Sequence, residues 1–155
     1  MRKLTNLLIG LLVMSCAQNT RQSEEKEIDI NRVKALADSC YERNDFKKGL
    51  GYLNQVLLID TLNGEYYYKR GYSQALLENF TESSKDYLKA TQLGYRKADA
   101  YYSLGLNQII LLNDSLAVFY FNKALELKPN SPEILSALEA CKKRLVDTDK
   151  KSSEI

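Results

Sequence analysis

The chain has 155 residues, 45% of them hydrophobic and 27% charged, which suits one soluble core and excludes both a disordered polyelectrolyte and a polytopic membrane protein. Its 22 basic residues stand against 20 acidic ones, a balance too even for an electrostatic nucleic-acid binder unless the charges segregate onto one face, which they do not. Histidine is absent and cysteines number three, so the commonest general base and zinc ligand is missing and a disulfide scaffold is excluded.

Arg2 and Lys3 precede an apolar run from Leu7 to Val13, too short to span a bilayer comfortably and suited to the core of an export signal. The run ends in Val13-Met14-Ser15-Cys16, which resembles a bacterial lipobox, although Met14 stands where a small residue is more usual. The resemblance implies that residues 1–15 are a cleaved lipoprotein signal peptide and that Cys16 is acylated as the new N-terminus. The alternatives are a short transmembrane anchor, or a secretory peptide cut elsewhere beside an incidental cysteine. Acyl chains contribute roughly 0.8 kcal/mol per buried CH2, so two or three of them hold far more firmly than one myristoyl group. Arg2 and Lys3 would leave with the signal, taking the basic residues from 22 to 20 against 20 acidic ones. No steering toward anionic lipid or nucleic acid is then expected.

Residues 16–29 are expected to be the lipid anchor and a flexible tether, because from Ala17 to Asp29 only Ala17 and Ile28 are apolar and no face can be buried. As a coil of about 13 residues the tether would span roughly 20 Å. Ala17 rather than an aspartate follows Cys16; similarity to well-studied lipoproteins implies delivery to the outer membrane, facing the periplasm. The cluster Ser23-Glu24-Glu25-Lys26-Glu27 resembles surface-export signals, placed several residues late, and keeps cell-surface exposure as an alternative.

From residue 30 the chain repeats itself. A shift of 34 residues aligns Val33 with Tyr67 and Tyr101, Ala37 with Gly71 and Gly105, Leu53 with Tyr87 and Phe121, and Val56 with Ala90 and Ala124, without a gap. Within each unit the apolar residues recur at three- or four-residue intervals, and Asn44-Asp45, Asn79 or Asn113-Asp114 interrupts the middle. The period is helical, and asparagine and aspartate tolerate the left-handed conformation of a tight turn. Each unit is therefore predicted to be a helical hairpin whose small residues let two backbones approach.

The pattern resembles the tetratricopeptide repeat, a helix-turn-helix unit of 34 residues. Residues 98–131 match best, through Tyr101, Leu104, Gly105, Ala117, Phe121, Ala124 and Pro129. Residues 64–97 keep Tyr67, Gly71, Phe80, Tyr87 and Ala90 but carry Arg70 where an apolar residue is usual, and residues 30–63 are the most degenerate. Asp114 replaces the Phe46 and Phe80 of the earlier units and is expected to loosen the third turn. The resemblance implies an all-α solenoid of three repeats, 30–63, 64–97 and 98–131. A capping helix over 132–146 should follow, with Ser131 as N-cap, Pro132 at the first helical position and Leu135, Leu138 and Leu145 on one face. Residues 147–155 would be a disordered tail.

Catalytic chemistry is missing. Neither a glycine-rich phosphate loop nor a Ser-His-Asp, Cys-His or paired-carboxylate arrangement occurs, so no enzyme, metal, cofactor or small-molecule substrate is expected. Cys40 and Cys141 fall about three units apart, too far for a disulfide whose Cα atoms must lie within about 7 Å; they are expected to be buried and inert.

Binding is what this architecture leaves. In the family the first helices line a concave groove through recurring positions. Carried onto this chain, these include Lys34, Asp38 and Tyr41; Tyr68, Tyr72 and Leu76; and Tyr102, Leu106, Ile109 and Ile110. The aromatic and aliphatic members suit a helix or extended peptide; the alternative is that several of them pack as core, Ile109 and Ile110 above all. Some family members grip a terminal carboxylate with basic groove residues. Here Asp38 and Asp99 occupy two of those places, which disfavours that mode. The expected function is a membrane-tethered interaction adaptor with an envelope protein or peptide as partner. The alternative is a permanent structural subunit of an envelope assembly, held through the convex face or the capping helix.

Overall fold

The computed structural model describes residues 29–153; the expected signal peptide, Cys16 and nearly all of the tether lie outside the described residues. Among these there are seven α-helices and no strand. Helix α1 (Ile30–Glu42) starts where the Asp29 carboxylate accepts from the Asn31 and Arg32 amides at 3.1 and 3.2 Å, satisfying donors that the first turn leaves unpaired. Asp45 caps α2 (Phe46–Ile59) through the Lys48 amide at 3.4 Å, and Asn63 caps α3 (Gly64–Leu76) through the Glu65 amide at 3.2 Å. Helices α4 (Phe80–Gln92), α5 (Lys97–Ile110), α6 (Asp114–Leu127) and α7 (Pro132–Ser153) complete the order.

The hairpin turns correct one expectation. The left-handed residues are Asn44, Glu78 and Leu112, with φ of 59°, 63° and 59°, and not Asn79 or Asn113. Each of the three follows the C-cap of a first helix. The next amide, that of Asp45, Asn79 or Asn113, then donates back to the Cys40, Gln74 or Gln108 carbonyl at 2.8–2.9 Å. This closes the helix end in a Schellman-like arrangement, so the asparagines stand one place later, as the N-caps of α4 and α6.

Helices pack on their chain neighbours in succession, and α5 also reaches α7, as a solenoid of hairpins requires. Ala37, Gly71 and Gly105 are buried on the first helices and Val56, Ala90 and Ala124 on the second. The closest approach is at Gly105, where an added Cβ would lie 2.4 Å from Phe121 Cε1. Arg70, out of place by pattern, forks onto the buried Asp86 carboxylate with two bonds of 2.7 Å and donates to Asn54 at 2.8 Å. Burial pushes the Asp86 carboxyl upward while the guanidinium opposes the shift. Asn107, also buried, donates to the Ser83 and Ser84 hydroxyls at 2.9 and 3.1 Å, fixing α5 against α4.

The last helix differs from expectation in several respects. It runs to Ser153, so residues 147–153 are helical rather than a disordered tail. Its buried face is Ile134, Leu138 and Cys141, with Leu145 half-buried, whereas Leu135 is exposed; Ile134 and Leu138 are four apart and Cys141 three further on, which holds them on one stripe where Leu135 turns away. Ser131 stands at the N-cap place before Pro132, its carbonyl accepting from the Leu135 amide at 3.1 Å, while its hydroxyl donates to Glu133 at 2.7 Å. Asp114 does not loosen the third turn: it opens α6, where a carboxylate favours the helix dipole, and it receives the Arg144 guanidinium of α7. Cys40 and Cys141 are free and buried.

Candidate protein-interaction groove

The first helix of each hairpin reaches the first helix of the next through side chains. Between α1 and α3 the Tyr41 and Tyr72 rings meet edge-on at 5.5 Å, Lys69 donates to Asp38 at 2.8 Å and the Tyr66 hydroxyl to Asp38 at 3.3 Å. Across the next junction the Arg96 guanidinium, at the start of α5, lies 5.3 Å from the Tyr68 ring centroid. Between α5 and α7 a cleft of about 270 Å³ opens, lined by Asp99 and Tyr102 on one side and Glu133 and Ile134 on the other. The row α1, α3, α5, α7 therefore forms one side-chain face of the stack.

The candidate residues divide on this face. Tyr72 and Leu106 are each 37% exposed. Tyr41 is half-buried and forms an aromatic trio with Phe46 and Tyr72, with centroids 5.5–6.3 Å apart, the range in which edge-to-face rings attract. Tyr68 turns toward the second helices, edge-on to Tyr87 at 5.3 Å and Tyr95 at 5.8 Å, and Tyr102 lies 5.8 Å from Phe121. Ile109 packs against the core shared by α6 and α7, whereas Ile110 is exposed. Burial pushes the Tyr41 and Tyr68 hydroxyls above their ordinary range, and burial together with Asp38 pushes Tyr66 up to about 12.

The charges on the face are paired with one another. Lys34 donates to Asp60 at 2.7 Å, and the bonds from Lys34 and Asn63 hold the Asp60 carboxyl below its usual range. Lys69 bridges Asp38 at 2.8 Å and Glu65 at 2.6 Å; burial alone would lower the ammonium, but these two carboxylates raise it. Asp99 is held by Arg96 at 2.8 Å and Lys128 at 2.6 Å. Burial works to raise its carboxyl, and the two cations prevail and lower it. Asp38 and Asp99 are thus not bare repulsive charges. Lys34, Lys69, Arg96 and Lys128 each already have a carboxylate partner. Lys69, Tyr66, Arg96 and Lys128 escaped the sequence reading; the Glu65–Lys69 spacing of four was the one signal that pointed to any of them.

Against proteins of known sequence, no family model matches this chain. It is 28% identical over 133 residues to the small glutamine-rich tetratricopeptide repeat-containing protein of Dictyostelium discoideum, an alignment covering 80% of this chain and 40% of that one. Among solved structures it superposes on the first tetratricopeptide domain of Spaghetti (RPAP3) bound to an HSP90 peptide, with a TM-score of 0.69 at 19% identity, covering 76% of this chain and 93% of that domain. The Yersinia enterocolitica type III secretion chaperone SycD, in complex with a peptide of the translocator YopD, gives a TM-score of 0.67 at 16% identity over 78% of this chain and 98% of the chaperone. The fold is a tetratricopeptide-repeat solenoid. The chain spans less than half the length of the Dictyostelium relative.

Proposed function

We propose that this chain is a non-catalytic adaptor that holds a helix or peptide of an envelope protein in its inner groove, tethered through acylated Cys16 to the bacterial outer membrane. The observation that carries the binding reading is the exposure of Tyr72 and Leu106 on the face made by successive first helices; an inner face built only for stability would bury them. Two structural neighbours of the same fold are described in complex with peptides, which supports a protein or peptide partner. The membrane reading rests on the lipobox-like Val13-Met14-Ser15-Cys16 and the short tether.

Photo-crosslinking in the native bacterium tests the groove, with the probe in place of Tyr72 and a control at Lys85, exposed on α4. A discrete adduct from Tyr72 alone is expected; adducts from Lys85 alone would sink the groove reading. Metabolic labelling with an alkyne fatty acid tests the anchor, since labelling that survives Cys16→Ala would exclude it. A second reading has its own observation: Leu58 at the end of α2 is 79% exposed and Leu62 in the following loop 76%. These exposed leucines suit a permanent structural subunit, and adducts from Lys85 with self-association of the purified chain would favour it.

A further inference from the structure

Helix α7 packs on α6 and touches α5, and beside its buried stripe of Ile134, Leu138 and Cys141 it carries a second, exposed one. Leu135, Glu139, Lys142 and Val146 follow one another at four, three and four residues and are all exposed, Leu135 by 41% and Val146 by 52%. That spacing aligns them along one flank of the helix. One repeat earlier, at the same register, stand Tyr101, Gly105 and Gln108 of α5, which α5 turns to its own second helix. Tyr101 stacks on Tyr120 with centroids 6.3 Å apart, Gly105 lies against Phe121, and Gln108 accepts from Asn113 at 3.2 Å. On α7 no described helix covers the corresponding flank. Glu139, in the place of Gly105, also bars the close approach of a hairpin partner, so a helix on this flank must stand at the ordinary axial distance of about 8–10 Å.

The stripe complements itself when reversed. Leu135 and Val146, and likewise Glu139 and Lys142, lie symmetrically about the point midway between Ala140 and Cys141. A second α7 laid antiparallel across that point sets Leu135 against Val146 of the other copy and Glu139 against Lys142, each contact occurring twice as a two-fold axis requires. A parallel pair would instead set Glu139 against Glu139 and Lys142 against Lys142. Neither Glu139 nor Lys142 is in an ion pair with another described residue, so the antiparallel pairing breaks no internal bond.

We infer that two copies of this chain associate through α7, antiparallel and two-fold symmetric, with Glu139–Lys142 pairs at the centre and Leu135–Val146 contacts at the ends. This stands apart from the groove reading and concerns a different flank of the stack. A single helix pair is a small interface, so the dimer should be weak, with a Kd on the order of 10–100 µM.

Sedimentation equilibrium of the full chain tests it, from roughly 2 to 500 µM at low ionic strength, where exposed ion pairs are least screened. Glu139→Lys makes both charges of the stripe basic and Lys142→Glu makes both acidic; by symmetry each change turns two attractive pairs into two repulsive ones. Either variant alone should dimerise at least about tenfold more weakly, with unchanged circular dichroism as the folding control. Mixed in equal amounts, the two should associate as tightly as the unaltered chain, because a basic stripe then meets an acidic one. The inference is overturned if the unaltered chain stays monomeric throughout, if either variant alone self-associates as before, or if the mixture is no tighter than its components. Self-association lost in Leu58→Ser and kept in Glu139→Lys would also overturn it, in favour of the exposed leucines of the second reading. A Tyr72 crosslink in cells bears on the groove alone.

Discussion

Adding one methyl group at Gly105 should unfold the third hairpin more easily, although alanine is the better helix former. An ideal Cβ there falls 2.4, 2.6 and 2.8 Å from three ring atoms of Phe121, and ordinary carbon contacts need about 3.5 Å or more. The ring must retreat by about 1 Å. It is fully buried within the cluster of Ala117, Ala124, Ile134, Leu138 and Cys141, so the shift propagates into α7. Overpacking of this kind costs about 1–3 kcal/mol, and alanine's helical advantage of about 1 kcal/mol offsets part of it. Because the approach is as close as 2.4 Å, the cost falls in the upper part of that range, about 2–3 kcal/mol, and we expect Gly105→Ala to lose about 1–2 kcal/mol net, read from urea unfolding followed by far-ultraviolet circular dichroism with an unchanged m value. Gly51→Ala is the control, because no atom lies within 4 Å of its added Cβ; it should gain about 0.5–1 kcal/mol. Combining Gly105→Ala with Phe121→Leu should cost less than the two changes summed. A Gly105→Ala protein as stable as the unaltered chain would refute the packing account.

Arg70→Met should destabilise by about 3 kcal/mol, because it strands the buried Asp86 carboxylate, while the double change Arg70→Met with Asp86→Leu should recover most of the loss; equal stability of the single and double variants in urea would contradict this. Leu112 is 88% exposed with a φ of 59°, so Leu112→Gly should relieve left-handed strain and raise stability by about 1 kcal/mol, which thermal melts would show as a higher midpoint. Acid should act through Asp60 and Asp99, whose carboxyls are held low in the fold. Their contribution is present above the unfolded value near 4 and is lost as pH falls through the lower folded values. With no histidine in the chain, urea midpoints should stay nearly level from pH 8 to 6 and decline below about pH 4, and a steep fall between pH 7 and 6 would contradict the assignment.

The helical period and the gapless 34-residue repeat in the sequence were enough to reach the hairpins, the small residues at Ala37, Gly71 and Gly105, and the stacking order, because these follow from local spacing and from how closely two backbones must pass. That Tyr72 and Leu106 share one register on successive first helices was legible for the same reason. Tertiary packing decided the rest. The pairs Lys69–Asp38, Arg70–Asp86 and Arg144–Asp114 join residues 16–31 positions apart on different helices, and no periodicity encodes which charge finds which. Whether Tyr68 and Tyr102 serve a ligand or the core depends on neighbours such as Tyr87 and Phe121 supplied by the second helices. The buried stripe of α7 was misplaced by one residue because Ile134 and Leu135 are equally apolar, and only the surface of α6 against which the helix settles selects Ile134. Glu78 and Leu112 take the left-handed turn because the closure of the preceding helix demands that geometry at a fixed place, whichever residue occupies it.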